Sequence, residues 1–453
     1  MDAPEAKGQH AGRTATVIIS VVLAFCLLDA VHSVFSRRFV YLPIQVVFLL
    51  ILIASYRLRP SHRANFALLL VGLIVALFTV EFALTILEPM MMARPAWKAG
   101  RTFDFRTREE VIRDLRRKGV DAFQRVAEGF PIAGPGMTLG GSISNTTIVY
   151  CNETGQYTIF RSDEHGFNNP PGVWNAKPLQ IVALGDSFTT GACVGPDEGF
   201  VSLIQKKYPA TLNLGSGGNG PLVELAAMDE YAVALKPKVV LWCFFEGNDL
   251  DDLRHESAKP ILMHYLQEDG FSQNLVGRQM EIDEAMKGPL EQAVDSRRST
   301  LLIPSIGLRF YGRTSVRRFV SLHETHNLLA QVIHHGGDKD AWKAEEAEMG
   351  LFREVMAKAQ KQISGWDGKL YFVFLPGTEI LRNDPGRQTL RVEVLQTVKE
   401  LGIPVIDVYP AFKERPDPLT LFSLPFPHYN QEGYRITAEK ILQALAVNGG
   451  SQP

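Results

Sequence analysis

Four short stretches of the chain carry residues able to do nucleophilic chemistry. The first is IVALGDSFTTG, residues 181–191. Ile181 to Leu184 read as a buried strand that Gly185 ends, and 198–208 reads as a helix. Ser187 therefore falls where a strand passes into a helix, where backbone N–H groups point outward unpaired. Such donors suit an oxyanion, although the same turn would suit a plain connection capped by a serine. The second stretch, NLGSGGNGP, closes the next strand and sets Asn213, Gly215 and Gly218 in an N-x-G-x-x-G arrangement. Glycine there lets a backbone N–H approach a ligand closely. The third, EGNDLDDL, ends another strand with Asn248. The fourth, PFPHYNQEGYRITAEKI, places His428 just ahead of a helix and five residues before Gly433.

These residues need a scaffold that brings strand ends together. Residues 178–254 alternate strand and helix: LQIVALG, a helix, TLNLG, a helix, then KVVLWCFFEG. The alternation resumes with KLYFVFLP (369–376), a helix over 387–401, IPVIDVY (403–409) and a final helix over 431–446. Near-continuous apolar strands separated by helices predict a parallel sheet covered on both faces. Active sites in such sheets lie at the carboxyl ends of the strands, where Gly185-Asp186-Ser187 falls. The interruption over about 255–365 is too long for a loop and reads as a mostly helical insertion.

The four stretches, in this order, resemble the four blocks of the SGNH hydrolases, also called the GDSL family. The matches are Gly185-Asp186-Ser187, Gly218, Gly247-Asn248-Asp249, and His428 with Asn430 and Gly433. The resemblance covers roughly 178–450 apart from the insertion. It implies an α/β fold with a flavodoxin-like parallel sheet and an ester-directed activity; no cofactor is expected, and no metal-ligand spacing supports a metal. Ser187 would be the nucleophile and His428 its base, since a serine hydroxyl is weak until a base takes its proton. The N–H groups of Ser187 and Gly218 and the side-chain amide of Asn248 would form the oxyanion hole. The upstream CNETGQY and SDEHGFNNP look like a subgroup that carries membrane spans before the hydrolase domain.

One departure stands out. The family places an aspartate two or three residues before the histidine, and here those positions hold Phe426 and Pro425. Asp417, in ERPDPLT, could fold back as the orienting acid, or serve as a turn residue between prolines. A backbone carbonyl near Leu424 could hold the imidazole instead, or the enzyme could be crippled. His165 and His255 are weaker candidates for the base. Asp186 reads as structural, its side chain accepting N–H bonds in the turn. Asn430 supports the histidine loop, and Asp249, Asp251 and Asp252 read as helix-start charge.

The chain's 453 residues exceed one ordinary domain, and a net charge of −2 excludes a global field for nucleic acid. Three apolar segments, roughly 14–35, 39–56 and 66–88, predict a three-helix membrane anchor over 1–88, with Pro43 tolerated in the second. Lys7, Arg13, Arg57, Arg59 and Arg63 against Arg37 and Arg38 place the N-terminus inside and 89–453 outside the cytoplasm. Asp29 and Glu81 fall within the spans, toward the helix ends, where they would reach the interface. Residues 89–177 form a connecting region that packs on the catalytic domain, with a charged helix near 107–128 and strands around 147–151 and 156–161. Cys151 and Cys193 could pair in an oxidising compartment, or remain free thiols. An arginine-rich run over 297–318 reads as a solvated face or a membrane-surface contact. His323, His326, His334 and His335 match no zinc spacing.

The expected protein is a membrane-anchored serine esterase or acyltransferase in the cytoplasmic membrane, its catalytic domain periplasmic or extracellular. Its substrate would be an acylated glycan or envelope polymer, and a transferase would need a membrane acyl-donor partner. The missing aspartate motivates an alternative, an inactive hydrolase fold kept for polysaccharide binding or assembly.

Overall fold

The computed structural model describes residues 3–35, 42–126, 141–296, 301–303, 308–310, 319, 322–326, 328, 346–424 and 427–448. The chain divides into two compact units. One comprises 1–87 with 313–334, the other 88–312 with 335–453.

The first unit is built on the helices Ala3–Phe35 and Leu42–Ser55 and on the larger part of Pro60–Lys98. Two helical stretches, Ala11–Leu28 and Pro60–Lys98, are long and apolar enough to cross a membrane. The middle helix has 14 residues. At 1.5 Å per residue it is about 21 Å long, short of the roughly 30 Å of hydrocarbon a bilayer presents. The expectation of three spans is thus met by two helices of spanning length and one shorter apolar helix. Leu68 and Leu69 are each 71% exposed, an apolar outer surface of the kind that marks a partner or lipid face. Inside, Ala15, Ile19, Leu52, Ala67 and Leu70 form the contact between helices. Arg63 ties the turn before the third helix, donating to the carbonyls of Tyr56 (2.5 Å) and Leu58 (3.0 Å).

Glu81 does not reach outward. Its carboxylate is buried and accepts the backbone N–H of Glu324 (3.0 Å) and of Thr325 (2.8 Å), and the Thr325 hydroxyl (2.8 Å). It caps the first turn of the short helical stretch over 323–326, where unpaired N–H groups favour negative charge. Phe319 packs on Phe78 nearby, with ring centroids 5.4 Å apart. The Asp29 side chain, His334, His335 and most of the arginine-rich run lie outside the described residues.

The second unit holds a five-stranded parallel sheet. Its strands are β4 (Ile181–Gly185), β5 (Thr211–Asn213), β6 (Val239–Phe245), β9 (Lys369–Leu375) and β10 (Val405–Asp407), in the order β10-β9-β6-β4-β5. Counted along the chain this is the flavodoxin-like order 2-1-3-4-5, with its switch point between the first and third of these strands. β4 is buried at every residue, and β6 and β9 at all but the first, as strands covered on both faces must be. Apolar side chains at helical spacing pack on them. On the helix Glu346–Ser364, Phe352, Val355, Met356, Ala359 and Ile363 are buried, a stripe of one face. Each large side chain so buried contributes about 1.5–3 kcal/mol.

A smaller sheet precedes this one: β1 (Ala122–Gln124) parallel to β2 (Thr147–Val149), which runs antiparallel to β3 (Ile159–Arg161). Its Phe123, Ile148 and Phe160 belong to the same core as the large sheet. The helix expected over 107–128 covers only Arg108–Arg117. A Thr107–Glu110 capping box starts it, and Gly119, at φ +80°, ends it and sends the chain into β1. The insertion is helical at Asp249–Ser257, Pro260–Gln267, Gln279–Ser296 and Glu346–Ser364. It also holds an antiparallel hairpin, β7 (Leu301–Ile303) with β8 (Leu308–Phe310), where mostly helix was expected.

Glu224, on the helix Pro221–Ala227, is fully buried, and neither carboxyl oxygen has a hydrogen-bond partner among the described residues. Burial first, then the charges of Asp186, Glu256 and Asp252, holds its carboxyl well above the ordinary glutamate value of 4.5. Folding therefore takes up a proton, and this contribution to stability is whole below that ordinary value. It erodes by about 1.4 kcal/mol per pH unit as pH rises toward the raised value. Glu224→Gln, isosteric with the neutral acid, escapes that erosion. Its Tm minus that of the wild type should grow steadily from pH 5 to pH 8; a pH-independent difference would contradict the assignment.

Candidate active site

Ser187 and Asn248 follow β4 and β6, the two strands that flank the switch point. Gly185 at the end of β4 cannot be another residue, because a Cβ there would lie 2.1 Å from Thr189 Oγ1. The chain turns there, and Asp186 caps the short helix Ser187–Thr190, its Oδ1 accepting the N–H of Phe188 at 2.9 Å. Burial, against that bond and the nearby His428, pushes the Asp186 carboxyl up to about 6.

His428 arrives from the other end of the chain. Tyr429 next to it is fully buried and donates to the carbonyl of Pro376 at 2.7 Å. Ser423 N–H donates to the His428 carbonyl at 3.0 Å. Asn430 starts the helix Gln431–Asn448, its Oδ1 accepting the N–H groups of Glu432 (3.1 Å) and Gly433 (3.2 Å). Its Nδ2 donates to the carbonyl of Thr420 at 2.7 Å. The Phe188 ring, one residue beyond Ser187, lies 5.1 Å from the imidazole, centroid to centroid. So held, His428 Nε2 stands 2.9 Å from Ser187 Oγ, within reach for proton transfer.

The other ring nitrogen meets an unexpected partner. His428 Nδ1 is 2.7 Å from Glu153 Oε1. Glu153 follows β2, in the loop before β3, and is 7% exposed. It supplies the acid missing at Pro425 and Phe426, which lie outside the described residues. Asp417 is a correction: it is exposed, its Oδ1 accepts the N–H of Leu419 at 3.2 Å, and it caps a turn. The carbonyl near Leu424 is not needed either, since both imidazole nitrogens are engaged. His165 and His255 are engaged elsewhere. The His165 ring packs edge-on to Trp174, and His255 Nδ1 pairs with the Asp251 carbonyl at 2.8 Å.

The Glu153 loop is fastened to the segment that follows Ser187. Cys151 and Cys193 form a disulfide. Thr154 Oγ1 donates to the Cys193 carbonyl (2.9 Å) and Thr158 Oγ1 to that of Val194 (2.6 Å). With its sulfur in the disulfide, Cys193 is no metal ligand beside Glu153 and His428.

The three oxyanion candidates sit at strand ends. The N–H groups of Ser187 and Gly218 donate to no other group among the described residues. Gly218 adopts φ +76°, a conformation that favours glycine. Asn248 Nδ2 spends one hydrogen on Asp252 Oδ2 at 2.7 Å and keeps a second. Two arginines that the sequence reading did not single out hold these loops. Arg125, just after β1, donates to Tyr150 Oη (2.9 Å), Ser216 Oγ (2.5 Å) and the Gly217 carbonyl (3.2 Å). Arg387 donates to the Glu246 carbonyl (2.6 Å) and pairs with the buried Glu246 carboxylate at 3.1 Å, which fixes the approach to Asn248. Asp249, Asp251 and Asp252 all fall in the first helical turn, as expected, but Asp249 and Asp252 are buried rather than solvated.

Glu153 left one trace in the sequence. It stands two residues after Cys151, and a bond from Cys151 to Cys193 brings that acid to the turn that begins at Ser187.

No protein-family model matches the chain, and no curated protein sequence matches it. Among solved structures it is similar to a lipase/acylhydrolase from Enterococcus faecalis, with 14% identity and a TM-score of 0.32, covering 60% of this chain and 99% of that one. It is also similar to a lipolytic protein of the G-D-S-L family from Desulfitobacterium hafniense, with 14% identity, a TM-score of 0.30, and 59% and 99% coverage. The acetyl xylan esterase AlAXEase gives 13%, 0.32, and 59% and 98%. Scores this low carry no argument about activity, which is left to the site itself.

Substitution separates the two acids. Glu153→Gln should lower ester turnover by up to about 10⁴-fold, the cost of losing the carboxylate that orients the histidine. Asp417→Asn should leave it within about twofold, as for a surface turn. The reverse ranking in steady-state kinetics would return Asp417 to the site.

Proposed function

We propose that this chain is a membrane-anchored serine esterase or O-acyltransferase. It acts on ester-linked acyl groups, acetyl foremost, of a glycan or envelope polymer outside the cytoplasm. The observation that carries the reading is the continuous relay from Ser187 Oγ through both nitrogens of His428 to Glu153. That geometry has one evident use. His428 Nε2 takes the hydroxyl proton as Ser187 Oγ attacks the ester carbonyl, and Glu153 holds the Nδ1–H and stabilises the imidazolium. The N–H groups of Ser187 and Gly218 and the free hydrogen of Asn248 Nδ2 receive the oxyanion, each donor being worth about 2.7–4 kcal/mol. The tetrahedral intermediate collapses, His428 returns the proton to the departing alcohol, and the acyl group rests on Ser187. Water then resolves the ester by hydrolysis, or a sugar hydroxyl by transfer, with His428 as base again.

The setting supports the rest. Two helices of spanning length and the shorter apolar helix between them would supply an anchor; counted as three crossings, with the flanking basic residues favouring the N-terminus inside, they would put the catalytic domain outside. A Cys151–Cys193 disulfide suits an oxidising compartment. An anchored site facing outward meets acylated surface polymers, and a transferase would draw its acyl group from a membrane partner. With a relay that reaches its acid, nothing in the site favours the inactive, polysaccharide-binding alternative.

The full-length protein in detergent should label with a fluorophosphonate and turn over an aryl acetate. Ser187→Ala should abolish labelling, and both Ser187→Ala and His428→Ala should lower kcat by about 10⁴-fold or more. A folded wild type inert to both reagents would overturn the assignment.

A further inference from the structure

We propose that the Cys151–Cys193 disulfide is the positioning element of the relay's acid, so that full activity requires the oxidised chain. This rests on the esterase reading above. The bond joins two segments 42 residues apart in sequence. One carries Glu153, two residues beyond Cys151; the other carries Ser187, six residues before Cys193. The cross-link therefore sets how far the acid's loop stands from the nucleophile's turn.

Glu153 needs such a restraint. Its carboxylate is buried, its Oε1 meets only the imidazole, and its Oε2 has no hydrogen-bond partner among the described residues. A buried carboxylate with an unpaired oxygen is drawn back toward water, so the backbone must hold it in place. Without the disulfide, the bonds from Thr154 to Cys193 and from Thr158 to Val194 would remain, each a single hydrogen bond of modest net worth. These keep the loop nearby without fixing the carboxylate.

The sulfur is also a wall of the site. Cys193 Sγ lies 3.6 Å from His428 Nδ1, the same nitrogen that faces Glu153. In the disulfide it has no proton to offer and is a poor acceptor. A dithiol reductant converts the bond into two cysteine thiols, supplying two electrons and two protons and becoming a disulfide itself. The Cys193 thiol or thiolate then stands beside Nδ1 as a rival to Glu153.

The experiment uses the full chain in detergent micelles, oxidised, reduced with dithiothreitol, and reoxidised, with the disulfide state read by intact mass. Aryl-acetate turnover, melting, and the low-field NMR signal of the His428 Nδ1 proton are followed in wild type and Glu153→Gln. Reduction should lower wild-type kcat by about 10- to 100-fold, as for a misplaced group, and reoxidation should restore it. It should also remove the low-field signal, which Glu153→Gln lacks from the start. In Glu153→Gln, reduction should change kcat by less than about twofold, since the acid is already gone.

Unchanged kcat and signal on reduction would overturn the proposal. So would an equal fold-loss in Glu153→Gln, or a reduced protein that simply unfolds, which would assign the disulfide to stability alone. If the oxidised wild type turns over no ester and takes no fluorophosphonate, the esterase reading fails. The signal then decides the disulfide's role by itself: its loss on reduction supports positioning, and its survival overturns it.

Discussion

The imidazole of His428 must be held at both nitrogens at once, at 2.9 Å by Ser187 and at 2.7 Å by Glu153. A hydrogen bond weakens steeply as its length and angle depart from a narrow range, so neither neighbour can drift by an ångström. The two partners come from chain segments 241 and 275 residues away from the histidine. No local propensity can set such distances. The large sheet, the small sheet, the disulfide and the buried Tyr429 act together as a frame for one ring.

The parallel sheet supplies half of that frame. Its order puts β4 beside β6 at the switch point, so that the turn after each opens into one crevice. Ser187 and Asn248 follow from that topology. The arginines hold what the sheet alone would leave loose. Arg387 grips the peptide leading into Asn248, and Arg125 grips the loop leading into Gly218. Both act from outside the four stretches that carry Ser187, Gly218, Asn248 and His428. Both are well buried, so each must spend its charge on fixed partners.

The small sheet supplies the other half. It belongs to the region before the hydrolase-like blocks, yet it shares their core and carries the acid of the relay. A connecting region thus supplies one of the two side chains that hold the imidazole. In the other unit a second acid shows the same economy. Glu81, placed within an apolar helix, is matched to the backbone N–H groups of Glu324 and Thr325. A buried carboxylate survives where backbone dipoles converge on it.

The sequence by itself determined the parts that repeat a local rule. Apolar runs of strand length, each ending in a polar turn, gave the five-strand parallel sheet, and turn chemistry located Ser187, Gly218, Asn248 and His428. The apolar periodicity of the N-terminal region marked its helices but overstated the second, since an apolar run does not reveal where the helix stops. β7 and β8 fell inside a segment read as mostly helical, since two three-residue strands give no pattern long enough to register. Glu153 was harder to read for a different reason. Its one trace, a place two residues after Cys151, gains meaning only from the bond to Cys193, and its role exists only because β2 and β3 pack on the core that carries β4. Which carboxylate faces the histidine is a question of distance across the fold. Pattern and spacing along the chain fix only what lies within a few residues, and tertiary packing decided the rest.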